Sequence, residues 1–120
     1  MKGLNKTVLI TGATGGIGLE LAKLFARDLF SIVIVSRNWA QLKITADILK
    51  ECGAIGVVPI SKDLSMPGSA WEVYNYTKNR GILVNILVNN AGVGEYGTFE
   101  QNDIDKELAI IQLNIAPWYS

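Results

Sequence analysis

Four short runs of β-branched and aliphatic residues recur along the chain: KTVLIT at 6–11, SIVIVS at 31–36, GVVPIS at 56–61 and VNILVNN at 84–90. Their apolar cores are continuous and lack the polar alternation of a half-exposed strand, so each reads as a strand buried on both faces. Longer stretches with helical spacing follow them. Residues 16–29 carry Ile17, Leu21, Leu24, Phe25 and Leu29 at that spacing. Residues 38–52 start at Asn38 with Gln41 three places on, a capping-box-like beginning. Residues 66–80 follow Ser65 and have Pro67 in the first turn. Residues 103–116 follow Asn102, a good cap residue. No other feature constrains the fold as much as this β-α-β-α-β-α-β-α order. It predicts an α/β domain with a parallel sheet, right-handed crossovers and helices on both faces. Pro59 in the third run fits an edge strand, where one backbone donor is dispensable. No repeat, low-complexity tract or linker divides residues 1–120, so they read as one domain.

The sharpest chemical signal follows the first strand. TGATGGIG at 11–18 places Gly12, Gly16 and Gly18 in a GxxxGxG spacing, with Gly15 as a fourth. Gly12 allows a sharp turn off the strand. Gly16 lets backbone approach a pyrophosphate without a Cβ in the way. Gly18 lets the next helix pack close to the sheet. The start of that helix offers N–H groups and the positive end of its dipole to phosphates. A glycine loop after a strand, before a helix and inside a βαβ unit reads as a dinucleotide site. Thr14 and Ile17 complete the set of loop residues expected against the cofactor.

An NAD site has an acid about 20 residues beyond the glycines, bonded to the ribose 2′-hydroxyl. Here the second strand ends in Ser36 and Arg37. An arginine fork holds a 2′-phosphate through charge-assisted bonds, and Ser36 adds a hydroxyl donor. NADP(H) is therefore favoured over NAD(H), although Thr14 occupies a loop position where a basic residue would strengthen the preference.

Composition removes other chemistries. The chain has no histidine, which excludes Ser–His triads, HExxH zinc sites and imidazole acid–base catalysis. No metal-ligating cluster is visible and no metal is expected. The 11 basic residues balance 11 acidic ones, so no global field attracts nucleic acid or an anionic membrane. No apolar stretch nears the about 18 residues of a membrane span, and the run after Lys2 and Lys6 is too short for a signal-peptide core. Cys52 is the sole cysteine, which fits a reducing, cytoplasmic setting.

With these motifs in order, the chain resembles the short-chain dehydrogenase/reductase family. Besides TGATGGIG, the resemblance rests on Asp63-Leu64 after the third strand, on Asn89-Asn90-Ala91-Gly92 after the fourth, and on Leu113-Asn114 in the last helix. It implies a Rossmann-type doubly wound sheet, here partial, with four strands in the order 3-2-1-4. It also implies that Asp63 and Leu64 line the adenine pocket, and that Asn90, Ala91 and Gly92 sit beside the cofactor ribose and tie the central strands together. Asn114 is expected to hold a water in the proton relay, as the catalytic-tetrad asparagine. The activity implied is hydride transfer between a nicotinamide and a carbonyl or alcohol carbon of a small molecule, in a homo-oligomer.

In this family the catalytic serine, tyrosine and lysine follow the tetrad asparagine. Tyr74 and Lys78 have the Tyr-x-x-x-Lys spacing but precede the fourth strand, so they read as a solvated helix face. Only IAPWYS follows Asn114. The 120 residues are therefore expected to bind cofactor without turning over. The alternative is a non-catalytic NADP-binding module, or a subunit that pairs with another chain. A half-sheet whose fourth strand is an open apolar edge is further expected to dimerise, aggregate or be marginally stable.

Overall fold

The computed structural model describes residues 3–90. Strands β1 (Thr7–Thr11), β2 (Ser31–Ser36), β3 (Gly56–Ser61) and β4 (Ile86–Asn89) alternate with helices α1 (Gly16–Arg27), α2 (Trp39–Cys52) and α3 (Ser69–Asn79). The strands form one parallel sheet in the order β3-β2-β1-β4. The predicted helix at 103–116 lies outside the described residues.

Strand geometry sends successive side chains to opposite faces, and both faces here are apolar. Val8, Ile10, Ile32, Ile34, Ile86 and Val88 meet Phe25 of α1 and Leu42 and Leu49 of α2. Leu9, Val33, Val35 and Ile60 face the other way, onto Val73 of α3. The continuous hydrophobicity of each run follows from this double burial. The first two crossovers step outward from β1 to β3. The third returns past β1 to β4, and a right-handed connection in that reversed direction puts its helix on the opposite face.

Pro59 pairs opposite Ile34 on β3, which lies at the edge of the sheet as its missing N–H requires. Three boundaries differ from the sequence reading by two residues or more. Helix α1 stops at Arg27, because the chain turns through Leu29 at φ 69. Pro67 precedes α3 and is not in its first turn, because Gly68, at φ 84, breaks the path and the helix starts at Ser69. Strand β4 starts at Ile86, two residues later than the run suggests.

The buried stripe of α1 also departs from expectation. Ile17 and Leu24 are exposed, and the helix buries Gly18, Ala22, Phe25 and Ala26. Small residues let its axis approach the sheet closely, which leaves the larger aliphatics outside. Phe25 then meets Phe30 edge-on, with ring centroids 4.8 Å apart.

Candidate nucleotide-binding edge

In a doubly wound sheet, ligands bind beyond the carboxyl ends of the strands, where the strand order reverses. Here that point lies between β1 and β4. The turn leaving β1 passes through Gly12 at φ 66, and Gly16 opens α1 at φ 59. Both conformations are left-handed and favour glycine. At Gly15 and Gly16 a Cβ would meet nothing within 4 Å among the described residues, so these leave space in front of the loop. A Cβ at Gly18 would collide with the Gly12 carbonyl oxygen and the Asn90 side-chain nitrogen. Gly18 therefore answers to packing, whereas Gly16 answers to conformation and leaves room in front of the loop. The first turn of α1 carries no acidic residue to neutralise its positive end, and Gly15 supplies no side-chain cap. An extended diphosphate fits this cradle of backbone on chemical grounds.

Asparagines fasten the loop to β4. The Thr11 hydroxyl donates to Asn89 Oδ1 at 3.0 Å and accepts from the Asn90 backbone N–H at 2.9 Å. Asn90 Nδ2 then donates to the Gly12 carbonyl at 3.2 Å. At the other end of the same strand pair, the Thr7 N–H donates to Asn85 Oδ1 at 2.8 Å and the Asn85 N–H donates to the Thr7 carbonyl at 2.8 Å. Sequence reasoning included Asn90 but missed Thr11 and Asn85. The asparagines that flank ILV in VNILVNN were the signal that could have found the clasp.

The ends of β2 and β3 meet on the same edge. The Lys62 N–H donates to the Ser36 carbonyl at 2.8 Å, and the Ser61 hydroxyl donates to the Arg37 carbonyl at 3.1 Å. Arg37 is thereby fixed at its backbone while its side chain stays 77 % exposed. Its Nη1 lies 3.9 Å from Asp63 Oδ2. The Asp63 carboxylate is itself anchored: Oδ1 accepts from the Ser65 hydroxyl at 2.6 Å and from the Ser65 N–H at 3.0 Å. Those bonds, aided by the Arg37 charge and opposed by slight desolvation, hold the Asp63 carboxyl below its ordinary range. Leu64 turns inward, against the cluster under α3.

Gly12, Thr14, Gly15, Gly16, Ile17, Gly18, Ser36, Arg37, Asp63, Leu64 and Asn90 are thus gathered along one edge by β1, β2, β3 and β4. Ala91, Gly92 and Asn114 lie outside the described residues. Tyr74 and Lys78 sit on α3, with Trp71 stacked on Tyr74 at 5.0 Å and Lys78 Nζ 5.6 Å from the same ring centre. That is a packed amphipathic helix surface. At the opposite, amino-terminal edge a depression of about 430 Å³ is lined by Asn5, Thr7, Ser31 and Leu83, among others, with no charged side chain. Among the described residues there is no group of three or more metal-ligating side chains, and no helix is long and apolar enough to cross a membrane.

Comparison with known proteins agrees with this architecture. The family described as short chain dehydrogenase matches residues 6–120. Over 110 residues the chain is 34 % identical to 11-beta-hydroxysteroid dehydrogenase 1A of Arabidopsis thaliana, covering 91 % of this chain and 32 % of that protein. It is 32 % identical over 114 residues to the short chain dehydrogenase/reductase dpmpG of Macrophomina phaseolina, covering 92 % of this chain and 64 % of the relative. L-sorbose reductase of Gluconobacter frateurii, solved with NADPH and L-sorbose, superposes with a TM-score of 0.69 at 35 % identity, over 76 % of this chain and 34 % of that one. The chain thus spans about a third of the Arabidopsis relative's length. With the reversed strand order, the glycine turn and the asparagine clasp in place, the chain belongs to the short chain dehydrogenase family, whose members are oxidoreductases.

Proposed function

We propose that these residues form the cofactor-binding part of an NADP(H)-dependent oxidoreductase acting on a small carbonyl or alcohol. The observation that carries this reading is the juxtaposition of two features on one edge: a glycine cradle open to solvent and an exposed arginine at the end of β2. The cradle suits the pyrophosphate. Arg37, with Ser36 beside it, suits a 2′-phosphate and has no reason to prefer a hydroxyl. Asp63 and Leu64 border the adenine, and Asn90, with Ala91 and Gly92, borders the ribose. When bound, the nicotinamide supplies or accepts the hydride. Relatives solved with NADPH support the cofactor assignment, among them L-sorbose reductase and a Sphingobium yanoikuyae short-chain dehydrogenase.

Asn114 belongs to the proton relay in this reading, while the serine, tyrosine and lysine of that relay are not among these 120 residues. We therefore assign this stretch nucleotide binding without turnover of its own, and a homo-oligomeric state. Trp39 is two residues from Arg37 and exposed, so its fluorescence can report the titration. The protein should bind NADPH more tightly than NADH. Arg37→Asp should weaken NADPH by about tenfold or more relative to NADH, the scale of one hydrogen bond to a charged group. Equal losses for both nucleotides would refute the 2′-phosphate assignment.

A further inference from the structure

Beside the glycine cradle Arg37 is paired with an acid, Asp63. Arg37 alone would make a simple phosphate receptor, but it already faces a carboxylate. Asp63 cannot easily turn away, because both Ser65 donors hold its Oδ1 and leave Oδ2 toward the guanidinium. The neighbouring cation does not compete, since Lys62 Nζ is engaged with Glu72 at 2.7 Å. At 3.9 Å the Arg37–Asp63 contact is longer than a hydrogen bond, so Arg37 is attracted without being locked.

We infer that Asp63 is a specificity-determining residue: it holds Arg37 as a counter-ion that a 2′-phosphate must displace, and so limits the preference for phosphorylated over unphosphorylated nucleotide. This rests on the reading of Arg37 as the 2′-phosphate ligand. A nucleotide with a free 2′-hydroxyl brings no charge to compete for the guanidinium and escapes the penalty. A 2′-phosphate must draw Arg37 away from Asp63 and also accept a fixed negative charge nearby. Contacts between Asp63 and an adenine ring would affect both nucleotides alike and cancel in their ratio.

The test is calorimetric titration of the protein with 2′,5′-ADP and with 5′-ADP. The variants are Asp63→Asn, Arg37→Gln and the double substitution. Asparagine keeps an oxygen acceptor for the Ser65 turn and replaces the charged oxygen facing Arg37 with a neutral amide NH2. Asp63→Ser neutralises the position in a second way and should move the ratio in the same direction. In Asp63→Asn the preference for 2′,5′-ADP over 5′-ADP should rise by about two- to fivefold, the scale of an exposed ion pair. In the Arg37→Gln background the same change should move the ratio little, because the two residues act as a coupled pair. If Arg37→Gln abolishes the preference while both Asp63 variants leave it unchanged or lower it, the inference is wrong and the Arg37 reading stands. If Arg37→Gln does not alter the preference, the Arg37 reading fails and takes the inference with it.

Discussion

Gly18 shows how one atom sets the geometry of the candidate site. Its missing Cβ is the space in which the Gly12 carbonyl and the Asn90 amide meet. Gly18→Ala should lower stability by about 1–3 kcal/mol, since backbone must move to relieve the clash. A urea melt would measure the loss, and nucleotide affinity should fall with it. Asp63 offers a different residue-scale check. Its Ser65 hydrogen bonds lower its pKa in the native state, so the native protein favours the anion more than the unfolded chain does. Its contribution to stability is complete above the ordinary carboxylate pKa. It is lost as pH falls through that value towards the lower native one, below about pH 4. Comparing denaturant midpoints across that range, Asp63→Asn should show a shallower acid loss than the unsubstituted protein. Identical slopes would mean that the Ser65 turn does not discriminate between the two protonation states.

At the scale of elements, the β1–β4 pair is the joint on which the candidate site depends. Asn85 and Thr7 close one end of it, and Thr11, Asn89 and Asn90 close the other. Asn90→Ala removes the donor to the Gly12 carbonyl and should cost about 1 kcal/mol, with a larger fractional effect on nucleotide affinity than on the melting midpoint. Helix α2 tests the core instead. Leu42 has no exposed surface and packs between the helix and the α1 side of the sheet. Leu42→Ala should cost about 2–5 kcal/mol, enough to lower the denaturation midpoint while leaving the wild-type preference among nucleotides in the folded fraction. A changed preference would show that α2 reaches into the site.

At the scale of the whole molecule, the described residues join two apolar layers through one sheet, with α1 and α2 on one side and α3 on the other. Among the described residues β3 and β4 form the two edges, and only β3 carries a proline. Under the homo-oligomeric reading proposed above, sedimentation of the 120-residue protein should show concentration-dependent association. A monomer with a sharp melt that does not depend on concentration would count against it.

Four double-sided apolar runs and the helical stretches between them were enough to determine the α/β class, because strands buried on both faces have no other arrangement that hides them. TGATGGIG marked the turn off β1, since few residues tolerate the φ values found at Gly12 and Gly16. Pro59 marked an edge. The rest required the third dimension. The closeness of α1 to the sheet, which exposes Ile17 and Leu24, depends on Gly18 leaving free the space that the Gly12 carbonyl and the Asn90 side chain, distant in sequence, come to fill. The delayed start of α3 depends on a left-handed Gly68 that outweighs the proline before it. The contact of Arg37 with Asp63 joins residues 26 positions apart, and that of Asn90 with Gly12 joins residues 78 apart. Local sequence sets propensity within a few neighbours, whereas pairing across the sheet is decided by register, and only the folded chain brings these side chains together.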